Sequence, residues 1–245
     1  MRKNNVCFCD FHTHILPHID DGAETVDISI KLIDSEIKQG VRQICLTPHF
    51  KNQCSIESFL NVRNNSYNEM ISALKSIFAH EKLPDFHMGA EVLLDENTAK
   101  VKNLDALCFN DTNLLLLEPI HGFWGDWILK VVFQIIAENN VQIVIAHADR
   151  YTYNKSNIKI LEKLIEMDCL LQFNVYNLKN RKVRYLIKKI LSNGSSPLIG
   201  SDAHDIETRP VKMSKINGPL VRLLYGKNFI DIVNNKTNSL LKKST

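Results

Sequence analysis

The chain has 245 residues, of which 44% are hydrophobic and 23% charged, and its formal net charge is +3 at pH 7. These values describe an ordinary globular protein with room for a sizeable core, and a single α/β barrel of about 250 residues is a normal size. So small a charge gives no ground for binding nucleic acid or an anionic membrane.

The opening "MRKNN" runs into "VCFCDFHTH" without an apolar stretch, so no signal peptide is expected. The first expected strand spans Val6–His12, and a helix follows from Val26, Ile30, Ile33 and Ile37, with Gly40 as its stop. A strand at Gln43–Leu46 leads to a longer helix traced by Ile56, Phe59, Leu60, Tyr67, Met70, Leu74 and Phe78. Further strands are expected at Phe86–Ala90, Leu114–Glu118, Gln142–Ala146, Leu170–Phe173 and Pro197–Ile199, and further helices at Trp127–Glu138, Ile158–Met167 and Arg181–Leu191. Strand and helix alternate about seven times, which argues for parallel strands joined by crossover helices. The apolar run Leu114–Leu117 is far too short to span a bilayer. No linker, low-complexity tract or repeat interrupts the chain, so residues 1–245 read as one domain.

Ionisable residues stand where these strands end. His12 and His14 close the first, His49 follows the second, and Glu91 follows the third. Glu118 ends the fourth, His147 and Arg150 follow the fifth, and Asp202 and His204 follow the last. In a parallel barrel such ends meet on one face, where active sites lie. His12 and His14 are two apart and share a face, Asp10 shares it and could orient one of them, and Cys7, Cys9 and Phe11 would point toward the helices. The turn Asp20-Asp21-Gly22 can bring a carboxylate back over the site.

His12, His14, Asp21, His49, Glu91, Glu118, His147, Asp202 and His204 exceed what one catalytic ion uses and suit two or three divalent ions. Mixed imidazole and carboxylate donors fit Mn²⁺, Fe²⁺ or Zn²⁺ better than a calcium cage or a thiolate site. Clustered ions can share a hydroxide as nucleophile and clamp the oxygens of a transferred phosphoryl group. Arg150 and Arg209 could bind the remaining phosphate oxygens. Histidines standing alone, His80, His87 and His121, read as structural or solvent-facing, and His18 is open between a pocket lining and neither. "FWGDW" at Phe123–Trp127 reads as a helix start and packing corner, and Tyr151 and Tyr153 as surface or packing residues.

The six cysteines are scattered without a CxxC pair, which fits a reduced, cytoplasmic setting. A cysteine-dependent tyrosine phosphatase needs a low-pKa thiolate in a loop with arginine six positions later. Here those positions hold Thr13, Ile15, Lys51, Leu60, Leu114 and Val175, so the loop is absent.

In order, "HTH", "DDG", "TPH", "GAE", "LLE", "IAHADRY" and "GSDAH…RP" resemble the polymerase and histidinol phosphatase (PHP) superfamily of metal-dependent phosphoesterases. The similarity is closer to bacterial tyrosine-protein phosphatases encoded with capsule and exopolysaccharide genes. It runs from Asp10 to Pro210 and continues weakly to the C-terminus. The resemblance implies a distorted seven-stranded (β/α) barrel, a distorted (β/α)7 fold, holding three metal ions, often manganese. It also implies hydrolysis of phosphotyrosine on a cognate tyrosine autokinase that controls polysaccharide export, with recruitment to a membrane partner left open. The nine residues named above take the metal roles, and Arg150 and Arg209 assist phosphate binding and leaving-group departure. Where the family often reads "HILPGxDDG", this chain has His18 in place of the glycine. The alternatives are a histidinol-phosphate or other small-molecule phosphatase on the same site, and a metal-binding module without catalysis. "DDG" favours the tyrosine phosphatase branch.

Overall fold

A computed structural model describes residues 8–51, 54–79 and 82–242. Val6, Cys7 and His80 therefore lie outside the described residues. Strands β1 (Phe8–Thr13), β2 (Val41–Leu46), β3 (His49–Phe50), β4 (Asp85–Met88), β5 (Glu91–Leu94), β6 (Leu114–Pro119), β7 (Gln142–Ile145), β8 (Leu170–Asn174) and β9 (Leu198–Gly200) are linked mostly by helices. The helices are α1 (Val26–Lys38), α2 (Ile56–Ile77), α3 (Trp127–Asn139), α4 (Lys155–Glu166), α5 (Arg181–Ser192), α6 (Pro219–Tyr225) and α7 (Phe229–Leu241).

Every strand pairing is parallel, in one sheet ordered β1-β2-β4 and another ordered β3-β5-β6-β7-β8-β9. The result is a parallel α/β half-barrel. β2 pairs with β4 and, beyond short breaks at Thr47–Pro48 and Gly89–Ala90, β3 pairs with β5. The far edge, β9, lies against β1: Asp202 N donates to His12 O and His14 N to Ala203 O, both at 2.9 Å.

Local chemistry explains the helix ends. Thr25 caps α1 by accepting from Ile28 N, and Gly40 follows its C-terminus at φ 92°, in the region glycine enters without penalty. Ser55 caps α2 through Ser58 N. α4 starts three residues before the expected Ile158 because Asn154 caps it through Ser156 N. The chain between β5 and β6 forms two short 3-10 turns, Thr98–Lys100 and Leu104–Leu107, instead of a crossover α-helix. Among the described residues, no helix is long and apolar enough to cross a membrane.

Two apolar cores result. The larger joins helices to the strands' outer side, with Leu32, Ile33, Met70, Leu74, Leu161 and Leu186 packed on Ile44, Leu117, Ile145 and Phe173. The smaller is lined almost wholly by strands: Cys9, Phe11, Cys45, Leu114, Leu116, Val144, Leu170 and Leu198, with Leu241 of α7 joining them. Cys9 and Phe11 therefore point inward and not, as their spacing suggests, toward the helices. The β1–β2 register shifts between Phe8 and Cys9 and again between Asp10 and Thr13, so simple alternation fails there. Cys9 is buried, as a packing residue should be.

Gly200 lets β9 approach β1. A methyl group there would lie 2.7 Å from His12 Cβ and 2.9 Å from His12 N, so the two strands would have to part. Gly200→Ala should destabilise the fold by about 1–3 kcal/mol, read as a lowered melting temperature. A melting temperature equal to that of the unmodified chain would show that this contact constrains nothing.

Candidate metal centre

Six strand ends converge on one buried carboxylate. Glu91, the first residue of β5, has its Oε2 at 3.2 Å from His12 Nε2, 3.1 Å from His14 Nε2 and 3.1 Å from His49 Nδ1, and its Oε1 at 2.9 Å from His147 Nε2. Asp202 Oδ1 lies 3.7 Å from His14 Nε2 and 3.8 Å from His147 Nε2. Asp21 Oδ1 is 3.3 Å from His49 Nε2 and 3.7 Å from His204 Nε2, while Glu118 Oε2 is 3.9 Å from His49 Nδ1. All nine sequence-selected residues thus fall into four overlapping groups: His14, Asp21, His49 and His204; His12, His14 and Asp202; His12, Glu91 and His147; and His49, Glu91 and Glu118. Within each group the donor atoms lie inside 4.8 Å of one another.

A second ring of residues aims the imidazoles. Gln172 Oε1 accepts from His147 N at 2.8 Å, which fixes the amide's orientation, and also accepts from His12 Nδ1 at 3.2 Å. Asn174 Oδ1 accepts from His147 Nδ1 at 3.1 Å, and Asp20 Oδ2 accepts from His14 Nδ1 at 2.7 Å. His204 Nδ1 donates to Asp202 O at 2.8 Å. With Nδ1 carrying the proton on His12, His14, His147 and His204, the Nε2 lone pairs are left facing the centre. Asp20 also accepts from His49 N at 3.0 Å and Gly22 N at 2.9 Å, so one carboxylate ties three ligand segments together.

Sequence reasoning missed Gln172, Asn174 and the role of Asp20. The available signal was the pair of polar residues two apart inside "LLQFN", a strand buried at every position. Asp10 was expected to orient an imidazole. It instead accepts from Ser201 N at 2.8 Å and His12 N at 3.2 Å, bracing the backbone between β9 and β1. Buried Glu36 of α1 stands beside it; burial and the Asp10 charge raise the Glu36 pKa well above the usual carboxyl range.

His147 and Asp202 have φ of 49° and 58°, left-handed values that non-glycine residues adopt at a cost. His18 is left-handed too, at φ 61°, a conformation that glycine adopts more readily, and it is exposed and belongs to none of the four groups. His87 is half-buried and burial lowers its pKa; His121 is exposed with its ring 6.1 Å from that of Tyr151. Trp124 is buried and its Nε1 donates to Ile120 O, while Trp127 begins α3, so "FWGDW" is a packing corner and helix start. Tyr151 is buried with its hydroxyl on Pro119 O, and Tyr153 is exposed.

Both arginines reach the centre. Arg150 pairs with Asp202 and with Glu118, and Arg209 Nη2 lies 2.8 Å from Asp21 Oδ2. Burial would raise the Glu91 pKa, but His12 and His147 hold it well below the usual range. Burial and the neighbouring His14 push His204 down to about 3.

The donor set fits divalent ions. Glu91 Oε1 and Oε2, Asp202 Oδ1 and His204 Nε2 are buried without a hydrogen-bond partner. The imidazole nitrogens around Glu91 are close yet out of hydrogen-bonding geometry, and His12 Nε2 faces His14 Nε2 at 3.1 Å. Electron-pair donors crowded together with unsatisfied lone pairs call for shared cations.

Comparison with known proteins identifies relatives of the chain. The chain is 23% identical over 210 residues to the tyrosine-protein phosphatase CpsB of Streptococcus agalactiae, covering 82% of this chain and 84% of that one. It is 27% identical over 209 residues to the tyrosine-protein phosphatase YwqE of Bacillus subtilis (strain 168), covering 82% and 78%. It also superposes, with a TM-score of 0.76 and 21% identity over 97% of this chain and 96% of the other, on a solved structure from work on YwqE of B. subtilis and CpsB of Streptococcus pneumoniae. Those proteins are described as unique metal-dependent tyrosine phosphatases. The family model for capsular polysaccharide synthesis, CpsB/CapC, matches residues 8–242, a span that holds every candidate ligand and both arginines. The chain belongs to the CpsB/CapC family.

Proposed function

We propose that the chain is a metal-dependent protein-tyrosine phosphatase acting on a tyrosine autokinase of a capsular or exopolysaccharide system. The observation that carries this reading is the buried Glu91 carboxylate, unpartnered by hydrogen bonds and surrounded by four imidazoles at 2.9–3.2 Å, with Arg150 and Arg209 paired to the neighbouring carboxylates of Asp202 and Asp21. The phosphotyrosine specificity draws on the relatives, which are named tyrosine-protein phosphatases. For the architecture we propose a distorted (β/α)7 barrel in one domain over 1–245. Its support is that β2 with β3 and β4 with β5 act as two interrupted strands, and that β9 adjoins β1.

His12, His14, Asp21, His49, Glu91, Glu118, His147, Asp202 and His204 would hold two or three divalent ions, with Mn²⁺ the first choice and Fe²⁺ or Zn²⁺ the alternatives. Such ions, when bound, supply a water nucleophile at neutral pH and positive charge for the phosphoryl oxygens. The protein's own part is to hold the phosphate and favour departure of the phenolate. Arg150 and Arg209 are placed to bind phosphoryl oxygens and to offset charge growing on the leaving oxygen. Gln172, Asn174 and Asp20 keep the imidazoles aimed throughout.

Among the described residues no thiol is set up as a nucleophile. Cys9, Cys45, Cys108 and Cys169 are buried, and burial pushes Cys108 and Cys169 up to about 12. Cys54 is exposed and lines the same pocket as His49, but Leu60 stands where the thiolate loop needs arginine. The described cysteines are all free, which supports a reducing, cytoplasmic location where a kinase partner would be met.

The deciding experiment offers a phosphotyrosyl peptide, histidinol phosphate and sugar phosphates to the Mn²⁺-loaded chain. Hydrolysis should favour the peptide, vanish after dialysis against a chelator and return with Mn²⁺; preference for histidinol phosphate, or full activity without metal, would sink the reading. Arg150→Ala and Arg209→Ala should each lower kcat by about 10²–10³ with metal content unchanged by elemental analysis. An arginine variant with undiminished turnover would place that residue outside the reaction. Cys54→Ser, and replacement of all six cysteines by alanine if the fold survives, should spare most activity, whereas His14→Ala should remove nearly all of it. Recovery of a phosphocysteine after acid quench would overturn the assignment.

A further inference from the structure

Continuous with the metal centre is a groove of about 490 Å³ that the chemistry above leaves unused. Asp21 and His49 belong both to its lining and to the cluster of candidate ligands. Elsewhere in the lining Ile19, Phe59 and Val62 are apolar, Cys54 and Ser58 are small, Asp20 is already engaged by His14 and the His49 backbone, and the exposed Lys51 supplies a positive charge. Pockets of roughly 300–1,000 Å³ hold ligands larger than a single ring, so there is room for an aryl group with the chain beside it.

The apolar wall is preformed. Phe59 is buried and packs edge-on against Phe50, with ring centroids 5.2 Å apart. One turn on, Arg63 Nη1 donates to Gly89 O at 2.8 Å, and Ser66 Oγ donates to Pro17 O at 2.6 Å. The Arg63 bond ties α2 to the break between β4 and β5, and the Ser66 bond ties it to the loop that leads to Asp20 and Asp21, so a ligand need not order the wall on binding. Val62, on the same helix, is 47% exposed. A sugar phosphate would bring hydroxyl groups to this wall and gain little there, whereas a phenyl ester brings a flat apolar face.

We propose that this groove is the specificity-determining subsite for a phosphotyrosyl peptide. The ring lies against Ile19, Phe59 and Val62, and Lys51 pairs with an acidic residue next to the tyrosine. The assignment rests on the phosphatase reading above and adds to it the class of peptide preferred.

The test uses the Mn²⁺-loaded full chain and a phosphotyrosyl peptide with glutamate beside the tyrosine. Its glutamine counterpart and the same peptide bearing a non-hydrolysable phosphonate complete the set. Val62→Asp should raise KM for the phosphotyrosyl peptides about tenfold, lower kcat much less, and weaken phosphonate-peptide binding by a similar factor in calorimetry. Lys51→Glu should raise KM about threefold for the glutamate peptide more than for the glutamine one, an effect that shrinks in high salt. Glu69→Ala, exposed on α2 and outside the groove, should behave as the unmodified chain does. If Val62→Asp leaves KM and phosphonate affinity unchanged, or Glu69→Ala shifts them equally, the groove assignment is overturned and the phosphatase reading stands. If the unmodified chain hydrolyses neither peptide but releases phosphate from a sugar phosphate or histidinol phosphate, the phosphatase reading falls and the groove assignment falls with it.

Discussion

Glu91 is a carboxylate enclosed by protein with no hydrogen-bond donor on either oxygen. Burying such a charge costs several kcal/mol unless opposite charge stands close by. His12, His14, His49 and His147 reach it from the end of β1, the start of β3 and the residues after β7, and a cation held among their lone pairs would supply that charge. Parallel strands make that possible, because the C-terminal ends of β1, β6, β7 and β9 and the breaks that follow β2 and β4 all face one way. The same geometry gathers Asp21, Glu118 and Asp202 around it, with Arg150 and Arg209 as their cationic partners. Four carboxylates against two guanidiniums would repel a phosphate dianion. Divalent ions held among these donors would offset that repulsion.

The residues legible in the sequence were those with a chemical signature and a fixed place relative to a strand end. Eight of the nine candidate ligands stand where an apolar run stops, at the rim of a parallel sheet and close to counterparts on neighbouring strands, while Asp21 was read from the turn Asp20-Asp21-Gly22. The residues that aim them were not legible. Gln172 lies 160 positions from His12 and 25 from His147, and an amide on a strand carries no mark of what it will hold. Asp20 sat beside the selected Asp21, yet nothing local distinguishes the carboxylate that binds an imidazole Nδ1 from the one that faces the cluster. Asp10 was read from side-chain alternation, and the register shifts in β1 are where alternation stops being a guide.

The fold followed the same division. Helices α1 and α2 were readable from their apolar spacing, and α1's end from Gly40, because burial of one face dictates both. The breaks at Thr47–Pro48 and Gly89–Ala90 were not, since each half of an interrupted strand is too short to show a period. α6 and α7 escaped for another reason. The polar stretch "NNKTN" interrupts the apolar positions of α7, and its terminal Leu241 packs against a strand-lined core assembled from distant segments. Tertiary contact, more than local pattern, makes that helix a structural element.

Strain at the site shows why its two rings of residues act as one unit. His147 and Asp202 turn the chain sharply through left-handed backbone, at about 1–3 kcal/mol each. Neither conformation stands alone: His147 N donates to Gln172 Oε1, His147 O accepts from Arg150 N, and Asp202 N donates to His12 O. The bonds that hold the strained turns therefore come from the same Gln172 that orients His12, the same Arg150 that pairs with Asp202, and the β1 backbone that carries both leading histidines. A loosened aiming residue would release a turn as well as an imidazole. Through Gln172 and the β1 backbone, stability and ligand geometry at this end of the molecule are thus consequences of one hydrogen-bond network.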